Sequence, residues 1–206
     1  TALTAIRSRS ILAASQLTIF DPLVSSDPGS PFHVTESNAI NELMPDSTLV
    51  IQEKATVPAF QKMAPQSGVV HVSCHGSFDP WIPLHSGLLF APESAARVFV
   101  LRAQDVYEMK FDRTSLIVMS ACVSSVGDMA GGDEVTGLTR AFQVAGINNI
   151  IGSLWPVDNR ATTNLMIQFH SELKKAPRDP VAALASAQRR FLKETPAISA
   201  WGAFEC

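Results

Sequence analysis

The stretch Val69–Pro80, VVHVSCHGSFDP, decides how this chain is read. Val69, Val70 and Val72 have the β-branched side chains that favour a strand. The apolar run gives way to Cys74-His75-Gly76, so the chemically capable residues stand at the strand's end. On a strand, residues 71, 73 and 75 share one face, and Cys74 lies on the other. His75 therefore reads as the histidine delivered to the edge of a sheet. His71 lies deeper and reads as a buried, hydrogen-bonded histidine. Cys74 reads as a small core residue.

Working outward, strand and helix patterns alternate. LTIFDP (17–22), STLVIQEK (47–54), GVVHVSCHG (68–76), TSLIVMSAC (114–122) and NNIIGSLWPV (148–157) have strand character. TESNAINELMP (35–45) predicts a helix capped by Thr35, and VPAFQKMAP (57–65) a short one. AQDVYEMK, EVTGLTRAFQVAG, NRATTNLMIQFHSELKKA and DPVAALASAQRRFLKE add four more. Gly146 would end the second of these, and Asp179-Pro180 would open the fourth. SGLLF and RVFVL suggest a small hairpin, and WGAFEC a terminal strand fragment. This order implies an α/β fold with a mostly parallel sheet covered on both faces.

The bulk properties exclude several classes. With 206 residues and 46% hydrophobic content, the chain can build one full core, so a single domain over residues 1–206 is expected. A net charge of -3 without a long basic stretch argues against a nucleic-acid or anionic-membrane surface. No apolar run reaches the length of a membrane span. Arg7 and Arg9 before an apolar run imitate a secretory signal. The run flows into the LTIFDP strand, however, and the chain lacks an initial Met, so it reads as a segment of a longer protein. The three cysteines form no CxxC pair, which favours a reducing, cytoplasmic setting.

In an open parallel sheet, ligands bind beyond the carboxyl ends of the strands. The 68–76 strand ends at His75 and the 114–122 strand at Cys122. If these strands are neighbours, the two ends lie about 5 Å apart. A thiol and an imidazole so placed make a nucleophile and its base. Competing chemistries find no support. His71, Cys74 and His75 cannot converge on a metal from one regular strand, so no metal or other cofactor is expected. There is no G-x-S-x-G elbow. The loop GDMAGGDE has no following Lys-Ser/Thr, so it is no phosphate-binding loop. It suits either an active-site loop that orders on activation or an ordinary connection. His85 and His170 read as loop and helix-surface residues.

HVSCHGSFD, HSGLLF, LIVMSACVS, GGDEVTGLTRAFQVAG, IIGSLWPVDNRATTNLMIQFHSEL and ALASAQRRFL occur in this order over nearly the whole chain. Together they resemble the CHAT family, caspase-like domains found beside TPR-type repeats, with gingipains and separase as more distant relatives. Caspases place a histidine about 50 residues before the cysteine; here the separation is 47. The resemblance implies a caspase-like three-layer α/β/α sandwich around a mostly parallel sheet. It implies a cysteine endopeptidase acting on protein substrates, with Cys122 as nucleophile and His75 as base. It places the oxyanion hole at the backbone N–H groups of Gly76 and Cys122. Gly76 suits that role because a side chain would obstruct the substrate carbonyl. Asp158, Asn159, Asp133 and Glu134 become candidates for lining the substrate pocket, which is expected to be neutral or mixed. A regulatory TPR-type region is the expected partner. The competing reading is a non-catalytic caspase-like domain that binds partner proteins.

Overall fold

The nine-residue strand β3 (Val69–Ser77) is buried from Val69 through Cys74, and its neighbours explain why. In the computed structural model it lies between β1 (Leu17–Asp21) and β6 (Leu116–Val123), parallel to both. The structure describes residues 17–23, 30–77, 79, 81–92, 99–123, 133–153, 157–194 and 201–206. Beyond β1 lies β2 (Thr48–Ile51), and beyond β6 lies β7 (Asn149–Ser153), both parallel to their neighbours. The short β8 (Phe204–Glu205) closes that edge antiparallel to β7. The order is thus β2-β1-β3-β6-β7-β8. The hairpin of β4 (Gly87–Phe90) and β5 (Phe99–Arg102) attaches antiparallel to the last residues of β3.

Each face of the sheet packs its own layer. Val70, Val72 and Cys74 of β3 join Ile117 and Met119 of β6 in one core. That core is covered by α2 (Val57–Met63), α3 (Ala103–Tyr107) and α4 (Asp133–Val144). Phe60 of α2 lies 5.2 Å from the ring of Phe20, 5.3 Å from Phe90 and 6.4 Å from both Phe111 and Phe142. Such tilted aromatic packing adds to simple burial. On the opposite face Val69, Leu116, Val118 and Ile151 pack beneath α1 (Ser30–Leu43), α5 (Asn159–Lys175) and α6 (Pro180–Glu194). The result is the expected three-layer sandwich around a mostly parallel sheet.

The termini of the helices follow the expected chemistry with one correction. Gly146 has φ 108°, the left-handed conformation that ends α4. Asp179 Oδ1 accepts the N–H of Ala182 and so starts α6. Helix α1, however, begins at Ser30 and not at Thr35. Thr35 lies inside the helix, where its hydroxyl donates to the Pro31 carbonyl over 2.6 Å. Proline is favoured in a first helical turn, because its missing N–H would have no partner there. The extra turn adds Phe32, His33 and Val34 to the helix.

Gly87 holds the hairpin against the end of β3. A Cβ at this position would lie 2.2 Å from the Leu101 carbonyl oxygen and 2.7 Å from Val100 Cγ1. Gly87→Ala should therefore lower the denaturant midpoint by the equivalent of roughly 1–3 kcal/mol. An unchanged midpoint would show that the β4–β5 approach yields without cost.

Candidate active site

The parallel pairing of β3 and β6 runs without a break from Val69↔Leu116 to Gly76↔Val123. Within it, the Cα of His75 is the register partner of the Cα of Cys122. Both stand at the carboxyl end of the sheet, where parallel α/β folds bind ligands. The neighbouring strand adds a tie at this level. The hydroxyl of Ser153, in β7, donates to the Ala121 carbonyl over 3.1 Å and fixes the peptide that leads into Cys122.

Gly76 is buried and pairs with Val123 on one side and Leu88 on the other. Asp158 is exposed and caps α5: its Oδ1 accepts the N–H of Ala161 over 2.9 Å. Asn159 is the first residue of α5 and is half-buried. Asp133 and Glu134 form the first turn of α4. The side chains of Cys122, Asp133 and Glu134 lie outside the described residues, as does the glycine-rich loop 124–132. The loop after β3 is organised by Asp79, whose Oδ1 accepts the N–H groups of Trp81 and Ile82, both over 2.9 Å. These donors hold its carboxyl below the usual range. The turn they form leaves Trp81 89% exposed, next to the half-exposed Ile82 and Leu84. His85 is exposed in the same turn, as expected from the sequence.

The face of β3 that carries His75 holds a buried polar layer. His71 is fully buried and contacts Glu36 of α1 through Nε2 over 2.9 Å. Ser73 Oγ donates to the same Glu36 oxygen over 3.2 Å. The Ser73 hydroxyl has one hydrogen, so His33 Nδ1, 2.6 Å away, must be the donor in their contact. The His33 ring then meets the His75 ring edge to face, with centroids 5.8 Å apart. At the other end, His170 Nε2 lies 3.1 Å from His71 Nδ1. Burial pushes His170 well below the ordinary histidine range, so its ring is neutral. Its Nδ1 has no hydrogen-bond partner among the described residues. A stranded lone pair costs less than a stranded N–H, which places the proton on Nε2, donating to His71. Both arms of the layer thus run toward Glu36.

His71 is the buried, bonded residue expected, and Cys74 lies in the core. His170 corrects the sequence reading. It is fully buried on α5, on the stripe that includes Met166, Phe169 and Leu173, and is not a surface residue. His33 escaped the sequence reading because that reading begins α1 too late, whereas Glu36 falls within the expected helix and was missed because its partners lie on β3. Pro31, as a first-turn residue, was the signal that could have placed His33 in the helix. Among the described residues no group of His, Cys, Asp and Glu has the arrangement to hold a metal ion.

A family model described as "CHAT domain" matches residues 1–206. The chain belongs to the CHAT family. The CHAT domain is a caspase-like domain, and the mostly parallel sheet flanked by helices is the corresponding fold. None of the curated proteins compared with the CHAT domain matches it. No helix among its described residues is long and apolar enough to cross a membrane.

Asp21 extends the polar layer at the end of β1. Burial pushes its carboxyl up from 3.8 to about 6, and nearby Glu36 adds to the rise, while the N–H of Leu23 opposes it. The folded state therefore holds a proton between these values that the unfolded chain has released. This contribution to stability is fully present below 3.8 and is lost as pH rises through about 6. The depressed His170 works in the opposite sense, destabilising the fold as pH falls below 6.5. Comparison with Asp21→Asn isolates the aspartate. The variant should gain on the natural protein by up to about 3 kcal/mol as pH rises from about 4 to about 7. Urea denaturation across this range measures it, and a constant difference would contradict the assignment.

Proposed function

We propose that the chain is a cysteine endopeptidase acting through a Cys122–His75 dyad. The observation that carries this reading is the in-register placement of the two residues at the carboxyl ends of adjacent parallel strands. In the proposed mechanism, His75 takes the Cys122 thiol proton and the thiolate attacks a peptide carbonyl. The N–H groups of Gly76 and Cys122 receive the developing oxyanion. Collapse of the tetrahedral intermediate expels the amine, which takes its proton from His75. Water, deprotonated by His75, then attacks the thioester and releases the acid, restoring the thiol. Asp158, Asn159, Asp133 and Glu134 are proposed to line the substrate pocket, with Asp158 also serving α5 as its cap. A TPR-type region is the proposed regulator.

A second reading draws on the loop after β3. Trp81, Ile82 and Leu84 are exposed together on a turn fixed by Asp79. A non-catalytic CHAT domain could bind a partner protein through such a surface. The two readings part on one experiment: incubation of the protein with a proteome and mapping of new N-termini. The peptidase reading predicts cleavages that Cys122→Ala abolishes and that His75→Ala slows by roughly 10²–10⁴-fold. Thiol alkylation should stop the reaction, and chelators should not. Unchanged cleavage by Cys122→Ala, or none from the natural protein with its regulator present, would overturn the peptidase reading.

A further inference from the structure

The polar layer beneath α1 is more than a support for the core, because one of its arms ends at His75. We propose that His33 is a positioning residue for His75: tethered through Ser73 to Glu36, its ring sets the orientation of the His75 ring at the end of β3. This inference rests on the dyad reading and adds to it a group on a different element.

Three observations carry it. His33 is only 6% exposed, and its ring is fixed by a 2.6 Å bond to Ser73. The tether is itself anchored, since Ser73 donates to the buried Glu36, which His71 holds from the other side. The His33 ring then meets His75 at an interplanar angle of 73°, an edge-to-face contact that favours one orientation over others. His75 is only partly buried and stands two residues before the end of β3. The tether supplies a constraint from α1. A general base must be held within hydrogen-bond reach of the proton it takes, so its orientation bears on rate.

Among the described residues, the titratable groups of α1 on this face are His33 and Glu36, and the Cα of Cys122 on β6 is the register partner of His75. Asp21 of β1, His71 of β3 and His170 of α5 lie in the same layer. Site-resolved alkylation therefore reads the inference without needing a substrate. The full chain is treated with iodoacetamide from about pH 5 to about pH 9, and modification of the Cys122 peptide is followed by mass spectrometry. Cys74, which is buried, and Cys206, which is exposed, serve as internal references.

His33→Asn keeps a donor near the Nδ1 position but removes the ring. Ser73→Ala cuts the tether and leaves both rings. Thermal melts show whether each variant folds. In the folded variants Cys122 should react about ten-fold more slowly near neutral pH, with its pH midpoint moved toward that of an ordinary thiol. His75→Ala should produce a shift at least as large. A natural profile in folded His33→Asn or Ser73→Ala, combined with a shifted profile in His75→Ala, overturns the positioning role and leaves the dyad standing. A natural profile in His75→Ala overturns the dyad and the positioning role together.

Discussion

The arrangement of this domain depends on the parallel pairing of β3 with β6. Eight consecutive residue pairs lock the strands from Val69↔Leu116 to Gly76↔Val123. A slip by one residue would turn His71, Ser73 and His75 toward the aromatic core, and Val70, Val72 and Cys74 into the polar layer. Neither exchange is tolerable. The first would bury imidazoles among phenylalanines, and the second would leave Glu36 without its donors. The register is thus fixed by chemistry on both faces, and with it the alignment of His75 with Cys122.

The polar layer is the costly part of the structure. Asp21, Glu36, His71 and His170 are all withdrawn from water on the same side of the sheet. A hydrophobic layer there would be at least as stable, since buried polar networks seldom stabilise more than well-packed apolar groups. The network offsets part of its cost by directing its donors onto one carboxyl oxygen. What it adds is geometry. It joins α1 to β3 by hydrogen bonds of defined direction, whereas apolar contacts alone would let the helix slide. That rigidity reaches the sheet edge at His33 and His75.

Much of this was legible in the sequence, for identifiable reasons. SLIVMS is a nearly continuous apolar run, and such runs specify buried parallel strands. The alternation of residues along β3 separated His75 from Cys74 correctly. The helix starting at Asp179-Pro180 and the glycine at 146 gave firm boundaries. The partner of His71 was not legible, because Glu36 comes from a helix 35 residues earlier. His170 was misread because Gln168, Ser171, Glu172 and two lysines surround it in the sequence. The stripe Met166, Phe169, His170, Leu173 places it inside all the same. The roles proposed for Asp158 and Asn159 stayed open, since a residue that caps a helix and one that lines a pocket have the same short polar chemistry.

The central claim is that Cys122 is the nucleophile of a dyad completed by His75. The most direct measurement is a crystal structure of the protein after reaction with a peptide acyloxymethyl ketone. The account predicts a thioether between the inhibitor carbon and Cys122 Sγ. It also predicts the inhibitor oxygen within hydrogen-bond distance of the Gly76 and Cys122 N–H groups, and the His75 ring beside the sulfur. Adduct formation at Cys206 or Cys74 with Cys122 unmodified would contradict it.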